Sequence, residues 1–218
     1  MMVAVVPAYN EEKTIGSVVQ SLFAHVDKVI VVDDCSRDNT HEQALASGAI
    51  VLQHKINRGQ GAALQTGHDY ALQIGADYVL HFDGDNQFCV EDIKPALTKL
   101  NDSGADVLFG SRFLDNRTKI PWFKKNILFP MAKIFNKICG VDLEDTHNGF
   151  RILNKKALEQ IKIEHDRMAH ATEIPAKAKK LGLKFVEFPV KVVYHEFGQG
   201  LGGGLQVAKD LLFGKFVK

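Results

Sequence analysis

Short apolar runs rich in β-branched residues recur through the first half of this chain, separated by stretches with helical periodicity. The runs are Val3 to Val6, Val29 to Val32, Ile50 to Leu52, Tyr78 to Phe82 and Val107 to Phe109. Each is continuously apolar, as a strand is when both faces of its sheet are covered. Between them, Glu11 to His25, Asp38 to Ser47, Gln60 to Ile74 and Glu91 to Leu100 carry apolar residues three and four apart, which gives a helix one buried face. Gly48, Gly75 and Gly104 stand near the ends of three of these segments, where a left-handed residue stops a helix. The alternation predicts parallel strands joined by crossover helices: an α/β fold with a mostly parallel central sheet and helices on both faces. In such sheets ligands collect outside the carboxyl ends of the strands.

After Arg112 the pattern changes to a basic, aromatic stretch, then Glu144 to Leu153, a predicted helix from Ala169 to Leu181 and a predicted strand pair around Phe185 to Tyr194. With 218 residues, 45% of them hydrophobic, a substantial core is available, which excludes disordered and fibrous classes. A net charge of +1 offers no global field for nucleic acid, and no segment has the aromatic-basic spacing of an RNA-binding sheet, so no nucleic-acid partner is expected. Cys35, Cys89 and Cys139 are odd in number, far apart and without metal-ligand spacing, which suits reduced thiols in a cytoplasmic compartment. Met2 to Val6 enters a strand with no basic region or cleavage site, and nowhere do ~18 uncharged apolar residues run together. Neither a signal peptide nor a membrane span is expected.

The polar residues of interest follow the strands. Pro7-Ala8-Tyr9-Asn10-Glu11 follows the first, Asp33-Asp34-Cys35-Ser36 the second, His54 to Gly61 the third, and Asp83-Gly84-Asp85-Asn86-Gln87 the fourth. Asp83 and Asp85, two apart in extended chain, project to the same side, and Gly84 between them lets a ligand approach the backbone. Hard cations such as Mg²⁺ or Mn²⁺ use one or two carboxylates together with substrate phosphate oxygens, so the pair points to a nucleoside diphosphate substrate. Taken alone, the same residues could simply form a turn and cap the helix that follows.

Together, Val6 to Glu11, Val31 to Asp38, Asp83 to Gln87, Gly110-Ser111-Arg112 and Asn148-Gly149-Phe150-Arg151 resemble glycosyltransferase family 2, in order, over roughly residues 2 to 195. Within it the likeness is greatest to the branch of dolichol-phosphate mannose synthases and bacterial polyprenyl-phosphate glycosyltransferases. The resemblance implies a GT-A fold, a nucleotide-sugar donor (GDP- or UDP-sugar), a Mg²⁺ or Mn²⁺ cofactor, and inversion at the anomeric carbon. It implies that Pro7, Tyr9, Glu11 and Asp34 line the nucleoside, with Asp33 supporting the loop. Asp83, Asp85 and Gln87 would surround the metal, and Asp83 and Gly84 would also border the donor. A ring offers stacking and a carboxylate accepts two hydrogen bonds, which suits a base and its sugar hydroxyls. Tyr9 to Glu12 also reads as an ordinary helix start, with acids at the positive end of the dipole, and both readings can hold at once.

Arg112 and Arg151 are candidates for phosphate binding because a guanidinium fork grips phosphate bidentately and stays charged; the Gly-Phe-Arg element is as readily structural. Asn57 to Ala63 resembles a family Asn-x-Gly-x-Gly-Ala pattern, where Arg58 is a substrate candidate and a tight turn the alternative. Asp145 occupies the place where hydroxyl-glycosylating relatives carry a general base; a phosphate acceptor is already anionic and needs none, so Asp145 would then only orient the acceptor. The catalytic set implied is Asp85, Arg112 and Asp145. His147 reads as a partly exposed loop histidine.

Between Arg117 and Lys137 lie six basic residues, no acidic ones, and an apolar set that includes Trp122 and Phe123, a composition suited to the surface of an anionic membrane or to a helix pair packed on the core. Leu205 to Lys218 repeats it, and Gly198 to Gly204, five glycines in seven residues, could close over the site with His195 or Lys191. The expected organisation is a catalytic domain over residues 1–195, with a possible membrane-interface segment at 115–140, and a glycine-rich loop and amphipathic tail at 196–218. The expected activity is transfer of a sugar to a polyprenyl phosphate, on the inner face of the cytoplasmic membrane, with a membrane surface or small membrane-protein partner. The alternatives are transfer to a sugar hydroxyl of a polysaccharide, with Asp145 as base, and an inactive nucleotide-sugar-binding subunit of a membrane complex.

Overall fold

The structure is a computed structural model that describes residues 1–118 and 143–193. Seven strands form one sheet: β1 (Met2–Ala8), β2 (Lys28–Asp33), β3 (Ile50–Gln53), β4 (Tyr78–His81), β5 (Val107–Ser111), β6 (Arg151–Asn154) and β7 (Phe185–Pro189). Their order is β3-β2-β1-β4-β6-β5-β7, parallel except for β6, which runs antiparallel to both β4 and β5. The helices described are α1 (Ile15–Leu22), α2 (Thr40–Ala46), α3 (Gln60–Gln73), α4 (Ile93–Ser103), α5 (Lys155–Gln160) and α6 (His170–Lys180).

The uninterrupted apolar strands are buried on both faces, as expected for crossover connections. Along β1, Met2, Ala4, Val6 and Ala8 face one core with α1, whereas Val3 and Val5 face a second with α3, α5 and α6. Gly48, Gly75 and Gly104 all have positive φ and end their helices. The expected strand pair near the end is a single strand, β7; beyond it Val192 makes only an isolated antiparallel bridge to Phe88. That bridge, with Val193 N–H donating to the Gln87 carbonyl at 2.9 Å, ties the loop after β4 to the far side of the sheet.

Residues 119–142 and 194–218 lie outside the described residues, and with them Cys139, His195, Gly198 to Gly204, the amphipathic tail and most of the basic segment. Its first residue is described and corrects the expectation. Arg117 binds Asp92 at 2.6 Å, Asp115 at 2.6 Å and the Pro189 carbonyl at 2.7 Å, so it is committed to the protein and cannot be counted among lipid-facing charges. Lys191 is exposed, its backbone N–H held by Asp92. Among the described residues no helix is long and apolar enough to cross a membrane.

Candidate active site

The loops after β1, β2, β3 and β4 meet at one edge of the sheet and are knitted to one another. Asn10 accepts from the Arg37 N–H at 2.9 Å and its own N–H donates to Ser36 at 2.9 Å; Thr40 accepts from the Glu11 N–H at 2.7 Å. Asn10, Cys35 and Asn86, one in each of the first, second and fourth loops, take positive φ, a conformation side chains other than Asn rarely adopt. Backbone of this kind persists only where surrounding bonds enforce it. Tyr9 is exposed, so its ring is open to stacking, and Pro7 is half-buried. Glu11 accepts from Thr14, and burial, followed by Asp85 and Asp38, raises its pKa.

Asp34, expected to line a nucleoside, is held within the protein. It is 3% exposed, and both oxygens serve the third loop: Oδ1 meets His54 Nδ1 at 2.7 Å and the Arg58 N–H at 2.9 Å, and Oδ2 accepts from the Gly59 N–H at 2.6 Å. His54 passes the connection to Thr66 through Nε2 at 2.9 Å. Asp33 supports the loops, accepting from Ser36 and Gln53. The third loop packs on residues 165–167: Arg58 pairs with Asp166 at 3.1 Å, and Gly61 lies so close to the His165 carbonyl that a Cβ would sit 2.0 Å from it. Arg58 is thus part of a loop clasp.

At the end of β4, Asp83 and Asp85 are brought together with Glu11 near enough to repel one another. Burial, then Asp85, push the Asp83 pKa up to about 7, against the pull of Arg151 and a hydrogen bond from Gln60 Nε2 to Oδ1 at 2.9 Å. Gly149 closes over the other oxygen, since a Cβ there would stand 2.3 Å from Oδ2. Asp85 Oδ1 accepts from the Gln87 N–H at 3.1 Å, turning the loop. Phe82, Phe88 and Phe150 pack edge to face behind it. Glu11, Asp83 and Asp85 thus repel one another at this sheet edge, an excess of negative charge that a bound cation would relieve. Among the described residues no three His, Cys, Asp or Glu side chains group as a metal cage, so Asp83, Asp85 and the Gln87 amide oxygen could hold a hard cation only with ligand or water oxygens completing the shell.

Arg112 and Asp145 form a bidentate pair: Nε to Oδ2 and Nη2 to Oδ1, both 2.6 Å, with the Arg112 N–H adding a bond of 3.0 Å. The Asp145 side chain is 2% exposed. Asn148 and the neighbouring backbone complete its setting, and Glu187 on β7, its pKa raised by burial, holds the Glu144 N–H at 2.9 Å. Arg151, an expected substrate contact, is 1% exposed, stands opposite His81 in the β4–β6 ladder, and interacts electrostatically with Asp83 and Asp145. Its pKa is lowered to about 10 by burial, which leaves it charged at neutral pH. Around it stand His68, His81, His147 and His170, all with pKa values lowered by burial, His68 to about 3 and His170 to about 4. His68 and His81 share a hydrogen bond between Nε2 atoms at 2.5 Å.

Sequence reasoning singled out the segments that hold Gln60, Gly149 and His54 but gave none of the three a role. Gln60 stood out only as the first residue of a helix after the third strand; its reach to Asp83 is a contact between residues 23 apart in sequence.

The profile for Glycosyl transferase family 2 matches residues 3–162. The chain is 35% identical over 214 residues to an uncharacterised protein of Methanocaldococcus jannaschii, covering 96% of this chain and 88% of that one. It is 28% identical to the UDP-N-acetylglucosamine–dolichyl-phosphate N-acetylglucosaminyltransferase of Methanococcus voltae, over 96% of this chain and 92% of the relative. Identity is also 28% with the polyprenol monophosphomannose synthase of Mycolicibacterium smegmatis, over 95% and 83%. Among solved structures it is similar to glucosyl-3-phosphoglycerate synthase of M. tuberculosis, with a TM-score of 0.75 and 21% identity over 99% of this chain and 80% of that one. That enzyme has been solved with UDP and Mn²⁺ or Mg²⁺; at such identity the likeness speaks for the GT-A fold alone. The profile spans the strands and loops that build this sheet edge, and on that ground the chain is a glycosyltransferase and belongs to glycosyltransferase family 2.

Proposed function

We propose that this enzyme transfers a sugar from a GDP- or UDP-sugar to a polyprenyl phosphate, with inversion at the anomeric carbon and with Mg²⁺ or Mn²⁺ bound by Asp83, Asp85 and Gln87. The observation that carries the choice of acceptor is the Arg112–Asp145 pair. A sugar hydroxyl must surrender a proton as it attacks, so its enzyme needs a carboxylate with an oxygen to spare. Both Asp145 oxygens are engaged by one guanidinium, and Asp145 is almost fully buried. A phosphate monoester is anionic before it arrives, and the pair then serves to orient Arg112 beside it.

In this scheme an acceptor phosphate oxygen attacks the anomeric carbon from the face opposite the leaving group. The carbon–oxygen bond to the nucleoside diphosphate breaks, and its electron pair leaves with the diphosphate. Tyr9 and Pro7 take the nucleoside side of the site, Asp85 and Gln87 the diphosphate end, and Gly84 lets the donor lie against the backbone. When bound, the cation would neutralise charge gathering on the departing diphosphate. Arg112 supplies fixed positive charge in a partly desolvated site, where it need not reorganise. Peripheral docking on an anionic membrane, or on a small membrane protein, belongs to the same proposal; the sequence between Lys119 and Lys137 supports it, with Arg117 withdrawn from the tally. The relatives that act on dolichyl phosphate and polyprenol point the same way.

The test is incubation of purified protein with Mn²⁺, radiolabelled GDP- or UDP-sugars and a polyprenyl phosphate in detergent. The expected result is label in the solvent-extractable lipid fraction, dependent on the added lipid. Label recovered only in water-soluble glycan would place a hydroxyl in the acceptor site and return Asp145 to the role of base.

A further inference from the structure

Asp83 is constrained in three ways, by two nearby residues of the Gly149-Phe150-Arg151 segment and by the start of α3. Arg151 attracts it electrostatically, Gly149 closes over Oδ2, and Gln60 donates to Oδ1 at 2.9 Å. Only the last is a directional bond, and the transfer scheme makes no use of Gln60. Its place is itself fixed. Gln60 is the first residue of α3, directly after Arg58 and Gly59, whose N–H groups are held by Asp34. On the other side Ala62 N–H donates to the Asp166 carbonyl at 3.0 Å, and Gly61 leaves no room for a shift toward residues 165–167. A helix start pinned at both flanks presents an amide that cannot wander, and a carboxylate bonded to it loses rotation about its own side chain.

We propose that Gln60 is a positioning residue for Asp83: through the Asp34-anchored third loop it fixes the orientation in which that carboxylate meets the cation. The inference rests on the assignment of Asp83 to the cation site. Hydrogen bonds to charged groups contribute enough that losing one typically shifts an equilibrium about tenfold or more.

Calorimetric titration of Mn²⁺ into wild-type protein and into Gln60→Met, which keeps length and helix preference but lacks the amide, tests it. Titrations run in the presence of whichever of UDP and GDP raises the melting temperature. The dissociation constant for Mn²⁺ is expected to rise about tenfold in Gln60→Met. Nucleotide affinity without metal should stay within about twofold, the melting temperature should hold, and excess Mn²⁺ should restore turnover, changes that a loosened fold would not produce in this combination. Equal Mn²⁺ affinity in the two proteins would overturn the inference, as would parallel losses of metal affinity, nucleotide affinity and melting temperature. Wild-type protein that bound no Mn²⁺ at all would instead overturn the assignment of the cation site, and this inference with it.

Discussion

Replacing Gly149 with alanine places a methyl carbon 2.3 Å from Asp83 Oδ2 and 2.9 Å from both Cγ and Oδ1, where ordinary contact begins at 3.4 Å. Something must move by about 1 Å. The Gly149 backbone cannot retreat cheaply, because Phe150 beside it is fully buried with its N–H on Asn148, and the Gly110 N–H bonds the Phe150 carbonyl at 2.9 Å. Asp83 is the easier partner to displace, at the cost of its bond to Gln60 and of an off-rotamer side chain, together roughly 1–3 kcal/mol. A shift of that size at a reacting centre costs on the order of 100-fold in rate. The expected outcome for Gly149→Ala is therefore a fall of about 100-fold in kcat/KM, weaker Mn²⁺ binding, and a melting temperature lower by only a few degrees. Steady-state transfer assays, calorimetry and thermal melts measure these three quantities. An alanine variant with wild-type turnover and unchanged Mn²⁺ affinity would refute the claim that the orientation of Asp83 matters to catalysis.

Asp145→Asn should lower stability, because it leaves the Arg112 guanidinium without its anionic partner, yet keep kcat within about tenfold of wild type; a loss beyond about 1,000-fold in the radiolabel assay would make Asp145 a base. Acid should destabilise the fold. His68 and His170 have folded pKa values depressed from 6.5 to about 3 and about 4, so their contribution is complete above about pH 6.5 and is lost as pH falls through that window. Asp83, raised from 3.8 to about 7, runs the opposite way together with Glu11 and Glu187, whose pKa values burial also raises, against four histidines with depressed values. The urea midpoint should therefore drop between pH 7 and 4.5, and a flat profile would contradict neutral buried histidines. Arg117→Ala should lower the melting temperature by a few degrees, through loss of its bonds to Asp92 and the Pro189 carbonyl, while binding to anionic vesicles stays unchanged. Weaker vesicle binding would return Arg117 to the lipid-facing set.

Much of the sheet could be read from sequence because its signals are local. The apolar runs at Val3, Val29, Ile50, Tyr78 and Val107 each became a strand, and the polar residues after four of them share one edge. What escaped was non-local. Strand β6 is only four residues, Arg151 to Asn154, and nothing in them announces an antiparallel neighbour for β4 and β5. The arginines show the same limit. Arg112 and Arg117 each read as a cation awaiting phosphate or lipid, because Asp145 is 33 residues from the first and Asp92 is 25 from the second, although Asp115, two residues from Arg117, was a local signal. Asp34 was legible as an acid following the second strand, expected to line a nucleoside, but not as the anchor of a loop whose amides come from positions 58 and 59.

The most direct measurement is a crystal structure grown with Mn²⁺ and UDP or GDP, with data collected at the manganese absorption edge. An anomalous peak bonded to the Asp85 carboxylate and to diphosphate oxygens, with Asp83 and Gln87 around it, is the predicted result. Nucleotide bound elsewhere, or manganese distant from these three side chains, would contradict it.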